Sequence, residues 1–227
     1  MTVETLADAR DMFAVHTMFR REFGLAPDLV RAVAAGDAQR ATVVADHVSL
    51  LSMMLDIHHS GEDKHIWPLL RERGATETAQ IVDVMQEQHE RIHDQYLRLS
   101  EALTAWREDS SAESRDALAR AVEGLAAQLE AHLALEEDRV VPLIERYLTT
   151  AEYGLLAGEG AQNTPPELLA ACLGMVMYEA EPAVIEMIIT ELPAEIRPAF
   201  PQAANEAYAA YAQPLYGTPA PPRILAA

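Results

Sequence analysis

The chain has 227 residues, 50% of them hydrophobic, and a formal net charge of −19. That length and apolar content allow a core in one large domain, or in one domain with a helical extension. The negative charge, with no Lys/Arg cluster to offset it locally, excludes phosphate backbones and anionic lipid as natural partners, so neither nucleic acid nor a membrane surface is expected to bind. The longest apolar stretch, Leu168 to Tyr178, falls well short of the ~17–25 residues of a membrane span. The acidic start, Met1 to Arg10, holds no apolar signal core, and a cytoplasmic location is expected. The single cysteine, Cys172, excludes an internal disulfide, and its neighbours Leu-Leu-Ala-Ala-Cys-Leu-Gly-Met mark a small buried hydrophobe.

Scarce glycine, plentiful alanine, leucine and glutamate, and the absence of strict apolar/polar alternation predict an all-α fold. A first helix is expected from about Leu6 to Phe23, with a break at Gly24 to Pro27 and a short helix ending near Gly36. Asp37 reads as the N-cap of a second helix carrying His47, Leu51, Met54, His58, Glu62, His65 and Leu69 on one stripe and ending between Pro68 and Gly74. A third helix, from about Thr76 to Trp106, places Ile81, Met85, His89, Ile92, Tyr96, Leu99 and Leu103 on one face, and Asp109-Ser110-Ser111 turns the chain. The fourth, from about Ala112 to Leu148, has Leu118, Val122, Leu125, Leu129, His132, Glu136, Val140 and Leu143 on its stripe. Four long helices with short connections predict an up-down-up-down antiparallel four-helix bundle over residues 1–150. Beyond Tyr153, Gly158, Gly160 and Asn163-Thr164-Pro165-Pro166 mark a break. Residues 151–227 then read as a C-terminal extension of two or three helices with a Pro-rich tail.

The strongest signal is internal. The segment from His58 to Leu70 aligns without gaps with the segment from His132 to Ile144 at a constant offset of 74 residues, matching His58 with His132, Glu62 with Glu136 and Pro68 with Pro142. The same offset carries His16 to within one residue of His89. The chain is therefore two helix pairs, each offering one His followed by a His-x-x-x-Glu. Residues four apart lie about 40° from each other around a helix, so His58 with Glu62, and His132 with Glu136, can enter one core site from the same face. A single histidine on an apolar stripe is as readily a hydrogen-bonded core residue. Two matched pairs, with His16 and His89 on the other helices, are hard to read so, because buried carboxylates cost several kcal/mol unless paired or bound to a cation. Nitrogen and oxygen donors without cysteine favour iron, manganese or zinc, and carboxylate-bridged pairs in helical bundles favour iron.

The order His16, His58-x-x-x-Glu62, His89, His132-x-x-x-Glu136 resembles the hemerythrin-like HHE cation-binding family, four-helix bundles with a non-haem di-iron centre. The resemblance covers roughly residues 5–150, one domain's length. It implies that these six residues bind two iron ions, that Glu62 and Glu136 bridge them, and that an oxo or hydroxo group bridges them as well. His93, one turn after His89, matches the extra third-helix histidine of oxygen-carrying hemerythrins and is expected as a seventh ligand. Oxygen carriers place the last carboxylate five residues after the histidine, where Glu137 stands. The repeat and the helix phase choose Glu136 instead, which moves the chain toward the broader HHE group. His47 and His65 lie two to three turns from His58, too far along the axis to share the site. His59 lies off the stripe opposite Leu133 in the repeat and is expected not to be a ligand.

Three functions fit these residues. The centre reacts with oxygen species as a di-iron oxidoreductase, or it binds O2, NO or iron reversibly as a carrier or sensor. In the third, the metal is structural and residues 151–227 contact a partner. The expected small-molecule partner is a diatomic gas or peroxide; neither an enzyme class nor an oligomeric state is readable from these residues.

Overall fold

The computed structural model describes residues 5–74 and 76–224. Residues 1–4 of the acidic start, and the last three of the tail, lie outside the described residues. Among the described residues there are ten helices: α1 (Asp11–Arg31), α2 (Ala38–His65), α3 (Trp67–Gly74), α4 (Thr76–Asp109), α5 (Ala112–Arg139), α6 (Val141–Tyr147), α7 (Thr150–Asn163), α8 (Pro166–Met177), α9 (Pro182–Thr190) and α10 (Phe200–Tyr216). The fold is all-helical, a helical bundle with extra C-terminal helices. The long helices α1, α2, α4 and α5 form the bundle, with α4 packed on α5, α5 on α1, and α2 on both α1 and α4.

Local chemistry sets the helix ends. The Asp37 side chain accepts from the Arg40 amide at 3.0 Å and starts α2. Ser111 does the same for α5 through Ser114 at 3.2 Å, after a tight turn in which Ser110 takes a φ of 48°. α2 stops at His65 and α3 resumes at Trp67; 74 residues on, α5 stops at Arg139 and α6 resumes at Val141. Pro68 and Pro142 explain both interruptions, since each lacks the N–H that would bond the carbonyl four residues back. The single second and fourth helices expected from the sequence are thus each two helices in line.

Three further boundaries differ from expectation. α1 begins at Asp11 rather than near Leu6, because residues 5–7 run extended along the end of α6: the Ala7 amide donates to the Leu148 carbonyl at 3.0 Å and the Thr150 amide to that of Thr5 at 2.9 Å. α1 also runs unbroken through Gly24 and Pro27, whose neighbourhood is buried, so packing outweighs the local tendency to break. α7 runs through Gly158 and Gly160, where a break was expected, and through Gly154 as well. A capping box between Thr149 and Glu152 starts it, and the Pro165-Pro166 pair ends it.

The core has two apolar clusters. One holds Phe19, Leu51, Leu55, Ile92, Trp106 and Leu129; the other holds Met12, Ile66, Trp67, Met85, Val140 and Ile144. Each bundle helix passes from one cluster to the other through a polar position: His16 between Met12 and Phe19, Glu62 between Leu55 and Ile66, His89 between Met85 and Ile92, Glu136 between Leu129 and Val140. A buried polar layer therefore crosses the bundle.

The C-terminal helices share the first cluster through Cys172, Met175, Val184, Tyr208 and Leu215. They are tied to α1 by a buried charge network. The Arg21 guanidinium, fully buried, donates to Glu22 at 2.8 Å, to Glu179 of the extension at 2.9 Å and to the Met175 carbonyl at 2.8 Å. It also lies over the Tyr178 ring at 5.1 Å. Arg21→Met takes the guanidinium away from buried Glu22 and Glu179, and such a broken pair costs about 3–5 kcal/mol. Thermal unfolding is expected to show a Tm lower by roughly 10 °C, with loosening of residues 166–216 in hydrogen exchange; an unchanged Tm would count against the network's structural role.

Candidate metal centre

The polar layer gathers two sets of ligand atoms. His16, His58, Glu62 and Glu136 form one, and His59, Glu62, His89 and His132 the other; within each set the donor atoms lie within 4.8 Å of one another. All seven residues are buried, with Glu62, Glu136, His16 and His132 at 0% exposure. Glu62 belongs to both sets: its Oε1 lies 3.2 Å from His58 Nε2 and its Oε2 3.5 Å from His89 Nε2. Glu136 likewise faces both sides, its Oε2 being 3.5 Å from His16 Nε2 and 3.4 Å from His132 Nε2. The imidazoles converge, with 3.3 Å between the Nε2 atoms of His16 and His58 and the same between those of His89 and His132.

What surrounds the cluster orients it. His16 Nδ1 donates to Glu137 at 2.9 Å, His89 Nδ1 to Asp63 at 2.9 Å, and His132 Nδ1 to the Gln88 side-chain oxygen at 3.1 Å. With Nδ1 carrying the proton, each Nε2 turns a lone pair inward, the arrangement that supports a histidine ligand. Glu137 is held in turn by Arg20, which also binds Glu130. Burial opposes the Glu137 charge, yet the hydrogen bonds from His16 and Arg20 hold its carboxyl below the usual range.

Electrostatics make the cluster receptive to cations. Burial, reinforced by the neighbouring imidazoles, pushes His58 and His59 well below the usual histidine range and His132 down to about 2, so these rings are neutral at pH 7. Burial and then the adjacent Glu136 charge push the Glu62 carboxyl well above the usual range. All four carboxylate oxygens of Glu62 and Glu136, and His59 Nε2, are buried without a hydrogen-bond partner among the described residues. Orphaned buried carboxylates beside neutral imidazoles need a positive charge that no side chain in the cluster supplies. The donor set, nitrogen and oxygen without sulfur, fits iron, manganese or zinc.

The residue match 8–144 to the family model of the hemerythrin HHE cation-binding domain decides the relationship. The chain belongs to the hemerythrin HHE family. It carries a cation-binding domain of that family, and its His/Glu clusters fit a metal site. No curated protein and no solved structure matches the chain. No helix among the described residues is long and apolar enough to cross a membrane.

The HHE cluster contains six of the seven residues singled out from the sequence: His16, His58, Glu62, His89, His132 and Glu136. His93 lies outside it. Although one turn from His89, it is exposed and stacks on Tyr96 with 5.8 Å between ring centroids. The inner face of α4 is already filled by His59, which stacks on His89 at 4.2 Å. His59 itself belongs to the second set, contrary to expectation. Its signal was available: Leu133, its repeat partner, is apolar, and Leu55, His59, Glu62 and Ile66 keep a four-three-four spacing of their own. Glu137 supports His16 from outside the cluster, because the extra residue turns it about 100° from Glu136.

The remaining histidines serve elsewhere. His65 binds Glu159 of α7. His47 is buried among Glu22, Tyr211 and Tyr216, bonding Tyr211 at 3.0 Å. Burial there pushes its imidazole down to about 4; the Glu22 charge opposes this and Arg21 adds to it. An unfolded chain restores the ordinary value near 6.5, so unfolding takes up a proton between these limits. The stability linked to His47 is thus present above about pH 6.5 and lost as pH falls toward about 4. In denaturant titrations across this window, His47→Gln is expected to lower the slope of stability against pH by up to one proton; an unchanged slope would refute the assignment.

Proposed function

We propose that the cluster holds two iron ions bridged by Glu62 and Glu136, and that the centre binds or reacts with small oxygen species: O2, peroxide or NO. The observation that carries this reading is the set of four buried carboxylate oxygens without a donor, shared between two groups of imidazole nitrogens. One ion could satisfy one group. Two carboxylates reaching both groups suit a pair, as in other carboxylate-bridged helical bundles.

His16 and His58 would serve one ion and His59, His89 and His132 the other, leaving each short of six ligands and open to a small molecule. Bound iron would supply electrons for redox chemistry on that molecule. The chain's own part is to hold His58, His59 and His132 neutral by burial, to exclude water through the apolar clusters on either side, and to keep one side accessible. That side is a groove of about 630 Å³ between α2 and α4, with His59 and His89 in its wall. Across the bundle, Arg20 links α1 to Glu130 and Glu137 of α5 and closes the opposite side.

Iron loaded without air is expected to reach about two ions per chain by elemental analysis, with a visible spectrum that changes on exposure to air, peroxide or NO. One ion per chain, or retention of zinc alone, would refute the pair. Glu136→Ala is expected to abolish two-ion binding. Glu137→Ala is expected to keep both ions with roughly 10–100-fold weaker affinity, as when a ligand loses its supporting partner. His59→Ala should alter the spectrum of the loaded protein and His93→Ala should leave it unchanged; the reverse would return His93 to the ligand set in place of His59.

A further inference from the structure

The α2–α4 groove has a chemical character of its own. Asp56, Asp63, Glu90 and Asp94 line it, along with His93 and Tyr96, and no lysine or arginine does. Arg71 reaches the Gln86 amide on the groove wall but is engaged by Asp83 at 2.6 Å. Asp63 is committed to His89. Asp56, Glu90 and Asp94 are exposed and form no ion pair among the described residues. Several acids elsewhere around the bundle have cations: Glu130 and Glu137 share Arg20, Asp46 pairs with Arg107, and Glu159 with Lys64. The groove thus gathers three unpaired acids in a lining that holds no lysine or arginine.

The groove leads to an unpartnered group. His59 is 7% exposed, lines the groove, and belongs to the second set; its Nε2 has no hydrogen-bond partner among the described residues. A cleft walled by low-dielectric protein and lined by one sign of charge focuses its field and raises the local concentration of counter-ions. A neutral gas gains nothing from such a field, and an anion is repelled. The lining therefore selects a cation.

We propose that the α2–α4 groove is the loading route of the centre: Asp56, Glu90 and Asp94 draw in a hydrated divalent metal ion, and His59 receives it at the inner end. This rests on the reading of the cluster as a metal centre and adds a path and a receiving ligand to it. Loading by this route is expected to be fast and to slow as salt screens the acids, because exposed charges are screened within about 10 Å at 0.1 M ionic strength.

The test is the rate of ferrous ion uptake by the full-length, metal-free protein without air. Each time point is stopped with excess chelator, desalted and counted by elemental analysis. The triple variant Asp56→Asn, Glu90→Gln, Asp94→Asn is expected to load about tenfold more slowly than wild type, to lose most of the salt dependence, and to reach the same final iron content. A control triple of exposed acids away from the groove, Glu113→Gln, Glu186→Gln and Glu195→Gln, carries the same change in net charge and is expected to load at the wild-type rate. Equal rates for the groove variant and wild type, or equal slowing in both triples, would overturn the route. A wild type that retains no iron would instead remove the metal reading on which the route depends.

Discussion

Two carboxylates facing each other in a dry layer are the constraint around which the molecule is built. Glu62 and Glu136 are fully buried and have no hydrogen-bond donor among the described residues, a condition that costs several kcal/mol per charge unless a cation compensates. Each of the four bundle helices brings at least one imidazole to the same layer. Apolar clusters above and below exclude the water that would otherwise solvate the acids. The site is therefore poorly satisfied by its own side chains and well satisfied by positive charge from outside.

The surrounding hydrogen bonds make this arrangement specific. Partners at Nδ1 fix three of the imidazoles by ring orientation as well as by position. Two of these partners, Glu137 and Asp63, each follow a cluster glutamate by one residue, and each supports a histidine of a neighbouring helix. The repeat thus reproduces a cluster glutamate together with the residue that orients a cluster histidine. The exception is position 59, where histidine stands in one half and Leu133 in the other. That asymmetry gives the second set its additional nitrogen and puts an imidazole at the wall of the groove.

The C-terminal helices are not a loose appendage. α8 and α10 enter the larger apolar cluster, and Arg21 joins Glu22 of the bundle to Glu179 of the extension in one buried network. Glu22 further accepts from Tyr208 at 2.8 Å and from Tyr216. α7 lies over α2, where Gly61 leaves room for Leu156. Tyr153 of α7 donates to Asp11 at 2.7 Å and closes the bundle near the cluster. Helices after residue 150 therefore cover two faces of the domain and leave the α2–α4 groove uncovered.

The all-helical class, the repeat, the Asp37 cap, the place of Glu136 rather than Glu137 in the buried cluster and the gathering of His16, His58, His89 and His132 follow from spacing along the chain. Helical periodicity and a 74-residue offset are properties of sequence alone. The unbroken path of α1 through Pro27, the course of α7 through three glycines, and the place of His59 rather than His93 in the buried cluster were decided by packing. Each depends on which neighbour fills a space: the buried surroundings of Ala26 and Pro27, the face of α2, and the His59 ring against His89. Periodicity states which residues share a face, whereas occupancy of the gap between two helices depends on both partners, and that is a tertiary property.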